Sequence, residues 1–374
     1  MNCFRSILTG VCAVLLAGLS LTVLAAANDI RVGQSIALSG AHGDVGKDYL
    51  AGARVYFDYI NSKGGVRGRR IVLDARDNAD SPEKSAQITR DFLGKDKVDV
   101  LFGYYGEGSL TAAVQDKAFV RSGMALVAPL SGAVPSTPGN VFFLRPSYAT
   151  EAKSAVDYFV KQGLKKFALV HSQNSYGESA AQAVTNELRS QGLSLLTQQA
   201  VNEDDDAQVS SAVQRIAAYK PQAVMVIMES IPAAQFIKTY RQRDMGVRLL
   251  GLSQLNSDTV AELAGSQAAG TVISQVVPHP NDLTLPVVRE LNKQMKKYRD
   301  EAPTHLTLEG YLAAKLLVDA LNQADAQPTR LAATLKTLRD TDLGGFYVGY
   351  AGGQSRASRY VDINAISNSG RLIN

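Results

Sequence analysis

Cysteine is nearly absent from this 374-residue chain, occurring only as Cys3 and Cys12. Both fall in an N-terminal stretch with the marks of an export leader. Met1 to Arg5 carries one positive charge, Ile7 to Ala27 carries none, and the run ends Leu24-Ala25-Ala26-Ala27 ahead of polar Asn28-Asp29. Small residues at that end fit a signal peptide, residues 1–27, cut near Ala27. An uncleaved anchor is the competing reading, because the run is long enough to span a bilayer. Cys12 raises a lipoprotein reading, which branched Val11 disfavours. Cut at Ala27, the chain holds no thiol, which excludes disulfides, thiol nucleophiles and thiolate metal sites. Export without disulfides fits a bacterial periplasmic protein.

Histidine is scarce as well: His42, His171, His279 and His305 are scattered, with no metal-ligating spacing. Neither sign of charge dominates. Lys+Arg 39 against Asp+Glu 35 gives +4, and loss of Arg5 leaves 38 against 35, or +3. The short patch Arg67, Arg69, Arg70 beside glycines reads as a solvated turn, so no nucleic-acid partner is expected. Catalytic motifs are missing too. No Gly-x-Ser-x-Gly elbow occurs, and Gly251 to Leu255 lacks the second glycine. Asn202 to Asp206 has its acids consecutive instead of alternate, which suits a helix start better than calcium. No enzyme activity, cofactor or metal is expected.

What the chain does contain is alternation. Apolar runs at Ile30–Leu38, Val98–Gly103, Met124–Ala128, Phe167–His171, Ala223–Met228, Leu249–Leu252 and Thr271–Val277 read as strands buried on both faces. Helical stretches lie between them. Leu50, Ala53, Phe57 and Ile60 share one face, and Gly64-Gly65 ends that helix. Ser81-Pro82 opens the next, Thr150 is expected to cap a third, and Pro232 opens a later one. The pattern predicts an α/β fold with parallel sheets. Roughly 350 residues after the leader favour two doubly wound lobes over one. No Pro/Gly/Ser-rich linker separates them. Hinge crossings are therefore expected near Arg145–Ser147, Val277–Pro280 and Leu343–Phe346. That places 28–146 plus 279–343 in lobe 1 and 147–278 plus 344–374 in lobe 2.

The segment Leu38 to Gly52, LSGAHGDVGKDYLAG, nearly spells a phosphate loop. However, Ala41 stands where the first glycine belongs, and Asp48 replaces the hydroxyl that would meet magnesium. What survives is Ser39-Gly40 before a helix start, a place for a modest anion such as a carboxylate, or simply a cap and a turn. His42 in the same loop is a candidate contact. Two further junctions look similar: Tyr104 to Leu110 (YYGEGSL) and Pro129 to Ser136 (PLSGAVPS). Ligands in open α/β sheets sit off the carboxyl ends of strands, so these loops predict one wall of a cleft. One of Tyr104 and Tyr105 faces it and the other is core. The loops His171 to Ser179, Met228 to Pro232 and Gly251 to Asp258 predict the facing wall.

The segment IALSGAHGDVGKDYLAGARVYFDYINSKGGVRGRRIVL resembles the start of the type I periplasmic binding proteins, the branched-chain amino-acid-binding family of ABC transporters. NSKGGVRGR is similar to that family's Asn-x-x-Gly-Gly-x-x-Gly stretch. The resemblance continues through LFGYYGEGSL, FALVHSQNSYGES, GTVISQVVPHP and DLGGF. It implies two lobes, three crossings and a solute bound between them. By the same resemblance, loops at Gly106-Glu107 and Leu130-Ser131-Gly132 hold the solute's carboxylate with hydroxyls and main-chain amides. Tyr176 matches the family's second-lobe tyrosine. The acid that receives an α-amino group falls at Ser253 or Gln254, neither of them acidic, with Glu107 or Glu229 as alternatives. The implied role is capture of a small carboxylate-bearing solute, an amino acid or relative, by a periplasmic monomer that delivers it to a membrane permease. The alternative is a ligand-sensing module for a membrane receptor.

Overall fold

The computed structural model describes residues 29–40, 43–133 and 139–373. The leader and His42 lie outside the described residues. Strands β1 (Ile30–Ile36), β2 (Ile71–Asp77), β3 (Val100–Phe102), β4 (Leu126–Val127) and β5 (Val141–Phe142) form an all-parallel sheet in the order β2-β1-β3-β4-β5. Strands β6 (Phe167–Ser172), β7 (Leu195–Val201), β8 (Ala223–Ile227), β9 (Arg248–Gly251) and β10 (Val272–Gln275) build the parallel part of a second sheet. A hairpin, β11 (Thr341–Asp342) and β12 (Tyr347–Val348), stands apart. The last strands, β13 (Asp362–Ile366) and β14 (Leu372–Ile373), add antiparallel to β10, giving β14-β13-β10-β9-β8-β6-β7.

Helices cover both faces of each sheet. The first sheet carries α1 (Gly43–Ser62), α2 (Pro82–Gly94), α3 (Glu107–Gln115) and α4 (Lys117–Ser122). The second carries α5 (Tyr148–Lys161), α6 (Ser175–Ser190), α7 (Asp206–Ala217), α8 (Ser230–Arg243) and α9 (Ser257–Ala264). The chain then returns to the first with α10 (Pro286–Tyr298), α11 (His305–Gln323) and α12 (Pro328–Thr337). Each sheet has its own pair of apolar cores, one per face. The molecule is thus two α/β lobes, as the alternation predicts.

Local chemistry explains the helix boundaries. Ser81 caps α2 by accepting from Lys84 N–H at 3.2 Å, with Pro82 in the first turn. Asp205 caps α7, accepting from the Ala207 and Gln208 amides. The cap of α5 is Ser147, not Thr150. Its hydroxyl accepts from Thr150 N–H at 3.3 Å, and the helix begins three residues earlier than Thr150 predicts. Ser147 is extended, at φ −80° and ψ 158°, the conformation a cap requires.

Crossings join the lobes. The chain leaves β5 and enters α5 through residues 143–147, and leaves β10 for α10 through residues 276–285. Leu343–Phe346 instead turns the β11–β12 hairpin: Leu343 N–H donates to Phe346 O at 2.9 Å, and both residues pack in the first lobe's core. Gly344 and Gly345, at φ 100° and 90°, turn the chain within that lobe. The third passage comes later. Phe143 N–H donates to Ser355 O and Ala357 N–H to Phe143 O before the chain reaches β13.

Candidate functional site

The lobes meet with the carboxyl ends of their strands facing. After β2 comes Asp80, after β3 the segment Tyr105-Gly106-Glu107, after β6 Asn174 to Tyr176, after β8 Glu229, and after β9 Gln254. With Pro82 and Gly108 these enclose a cavity of about 170 Å³. Asp80 through Gly108 belong to the first lobe and the others to the second, so the cavity lies between them.

Tyr105 reaches across it, its phenol donating to Glu229 Oε2 at 3.3 Å. Its amide donates to Ser35 O and its carbonyl accepts from Asn78 Nδ2 at 3.0 Å, which fixes the backbone. Gly106 follows at φ 101°, and an added Cβ would overlap the Asp80 carboxylate, so this position is glycine for two reasons. Glu107 opens α3 and is buried. Ser131 Oγ donates to its Oε2 at 2.6 Å and Tyr148 OH donates to its Oε1. Gln254 Nε2 donates to the Tyr148 oxygen at 2.6 Å, which closes the chain of bonds across the lobes. Burial raises the Glu107 pKa above the usual range, against those two hydrogen bonds and the attraction of Arg145 and Arg356. The Tyr176 ring lies 5.6 Å from that of Tyr148. Burial, then Glu229, Glu151 and Glu203, push the Tyr176 phenol well up.

The remaining expected residues divide. Leu130 and Ser131 are buried behind Glu107, with Ser131 as its hydrogen-bond donor. Gly132 lets the Tyr148 ring approach, since a Cβ there would overlap the ring. Ser39 and Gly40 are exposed and line a second space of about 340 Å³ at the rim, with Asp80, Asn174 and Glu203 among its other walls. Ser39 donates to Asp77 Oδ2 at 2.7 Å. Tyr104 is not in the cleft: it packs against Phe92 and Leu101, with its hydroxyl 3.1 Å from Thr89 Oγ1. Ser253 faces the hinge instead, accepting from Arg145 Nη2 at 2.6 Å while its amide donates to Glu151 Oε2.

Some of the groups expected to meet a ligand carboxylate are bonded within the protein. Leu130 N–H donates to Tyr104 O, Ser131 N–H to Pro129 O, and the Ser131 hydroxyl to Glu107.

Asp80 and Tyr148 were not expected at the site, and Asn174 only as part of the His171 to Ser179 loop. Tyr148 sits one residue past the crossing Arg145-Pro146-Ser147, and its only signal was a polar aromatic at a hinge helix start.

A sequence profile described as "Periplasmic binding protein" matches residues 29–363. The chain belongs to this family. Within it, the chain is 24% identical over 329 residues to a Leu/Ile/Val-binding protein of Citrobacter freundii, covering 86% of this chain and 88% of that one. A substrate-binding periplasmic protein from Ralstonia solanacearum superposes with TM-score 0.87 at 29% identity, covering 92% and 99% of the two chains. An extracellular ligand-binding receptor from Verminephrobacter eiseniae gives TM-score 0.84 at 27% identity, covering 92% and 100%. These are substrate-binding proteins, so this family member binds a solute and is not an enzyme.

Proposed function

We propose that this periplasmic binding protein captures a small solute between its lobes and hands it to a membrane permease of an ABC transporter. The observation that carries the reading is the cavity walled from both lobes by strand ends, with buried polar groups directed into it. Tyr105 and Glu229 already bond across it. A solute held there touches both lobes only when they are closed, so it favours the closed state. Moving an open–closed equilibrium from 1:99 to 99:1 takes about 5.5 kcal/mol of differential binding. Several charge-assisted hydrogen bonds at one enclosed site reach that figure. The family supports a periplasmic location, and with it this reading includes a leader cut near Ala27 and a monomeric carrier. The relatives' names set the starting class of solute, an amino acid or a close relative of one.

The test is mass spectrometry of what co-purifies with the full-length protein, then calorimetry with that compound. Tyr176→Phe and Glu229→Gln are expected to weaken its binding about tenfold. Wild-type affinity in both variants would move the site elsewhere. Permease delivery is checked by whether the loaded protein stimulates ATP hydrolysis by the reconstituted transporter.

A further inference from the structure

Resting on the reading that closed lobes hold the solute, we propose that Asp44 and Asp48 set its affinity without touching it, by latching α1 of the first lobe to α9 of the second. Both lie in the segment Leu38 to Gly52 that nearly spells a phosphate loop, and neither lines the interlobe cavity. Asp44 Oδ2 accepts from Thr259 Oγ1 at 2.9 Å, and Asp48 Oδ2 accepts from Asn256 Nδ2 at 3.1 Å. Each bond runs from one lobe to the other, so both need the lobes together along this edge.

The Asp48 half of the latch is preset in each lobe. Thr304, the cap of α11, donates to Asp48 Oδ2 at 2.8 Å, which aims the carboxylate. Opposite, Asn256 is 6% exposed and its amide donates to Ser230 Oγ at 3.1 Å. Its Oδ1 caps α9, accepting from the Asp258 and Thr259 amides, so its NH₂ is the group left to face Asp48. At the other half, Asp44 Oδ1 is buried without a hydrogen-bond partner among the described residues, and Thr259 serves the second oxygen. Without that hydroxyl, closure would strand the carboxylate further. Asp44 in the first turn of α1 also suits the helix dipole, but that role needs neither Thr259 nor Asn256. Apparent affinity scales with the fraction of protein in the binding-competent state, so the latch acts on any solute alike.

The experiment reads lobe separation in the full chain, freed of solute by unfolding and refolding, so it does not depend on which solute binds. Spin labels go on Lys84→Cys and Gln182→Cys, exposed on α2 and α6, in a Cys3→Ser, Cys12→Ser background. Pulsed electron resonance gives the near and far populations. Thr259→Val, which removes the hydroxyl at little change in shape, is expected to lower the near-to-far ratio about fivefold or more. Asn256→Asp keeps a capping oxygen but turns a like charge on Asp48, and should lower the ratio further. Adding Asp48→Asn to Asn256→Asp restores a donor and an acceptor, and should recover most of the near population, which a folding defect would not. A wild type with no near population, or populations that neither single variant shifts, overturns the latch. A loss in Asn256→Asp that Asp48→Asn fails to recover overturns the Asp48 pairing. Variants that open as expected in a protein with which no solute co-purifies leave the latch standing and count against the transport reading.

Discussion

Tyr104 and Tyr105 are chain neighbours with opposite fates, and the reason is the two-residue period of extended backbone. Tyr104 faces α2 and the apolar core around Phe92; Tyr105 faces the cleft and Glu229. Tyr104→Phe is therefore expected to leave solute affinity unchanged and to cost about 1 kcal/mol of stability through the lost bond to Thr89. Tyr105→Phe removes a hydroxyl at the site and should weaken binding two- to tenfold, roughly 0.5–1.5 kcal/mol. Calorimetry and urea unfolding on the pair separate the roles, and equal affinity losses would refute the division. From sequence, the pair read as one wall residue and one core residue, with no way to rank them. Register decides which is which, and register follows from strand pairing that the loop motif does not encode. The chemistry of Glu107 was visible in the same way, as an acid where hydroxyls are usual. Its partners were not, because Ser131 and Tyr148 approach from 24 and 41 residues away.

At the scale of elements, α1 and α11 touch along backbone. A Cβ on Gly52 would overlap Thr307 O, and one on Gly310 would overlap Tyr49 O, so the crossing is closed by reciprocal glycines. Gly310→Val must push the helices apart or break one of them. The expected loss is about 3 kcal/mol, read as a lower urea midpoint; an unchanged midpoint would mean the helices do not approach this closely. The helices were legible through their apolar spacing and caps. So were the central strands β6 and β8, buried along their whole length and hence continuous runs of apolar residues. The edge strands β2 and β7 were not. Leu195–Val201 alternates exposure residue by residue, and Ile71–Asp77 is largely half-buried. Their polar content conceals them from a search for apolar runs.

At the scale of the molecule, the lobes are tied at a buried charge centre. Arg145, on the first crossing, pairs with Glu309 of α11 at 3.1 Å. It also donates to Ser253, whose amide bonds Glu151 of α5. Burial opposes the Arg145 charge, but Glu309 and Glu151, one from each lobe, hold its pKa above the ordinary arginine value. Arg145→Ala strands two buried acids and should cost about 3–5 kcal/mol, measured by urea unfolding. The position of this crossing was legible from Arg145-Pro146-Ser147, but its tie to Glu309 spans 164 residues and leaves no local trace. The second crossing carries His279, whose ring meets that of His305 at 5.2 Å. Burial, and secondarily His279, lower the His305 pKa from 6.5 to about 3. The unfolded chain thus takes up this proton first. Stability is complete above pH 6.5 and falls as pH drops toward 3, by about 1.4 kcal/mol per unit from this group. Between about pH 7 and 4.5 the wild type should lose about 2.5 kcal/mol more than His305→Gln. Parallel urea titrations at the two pH values check this. Equal losses in both proteins would show that His305 is protonated as easily folded as unfolded, and that the hinge is open to water.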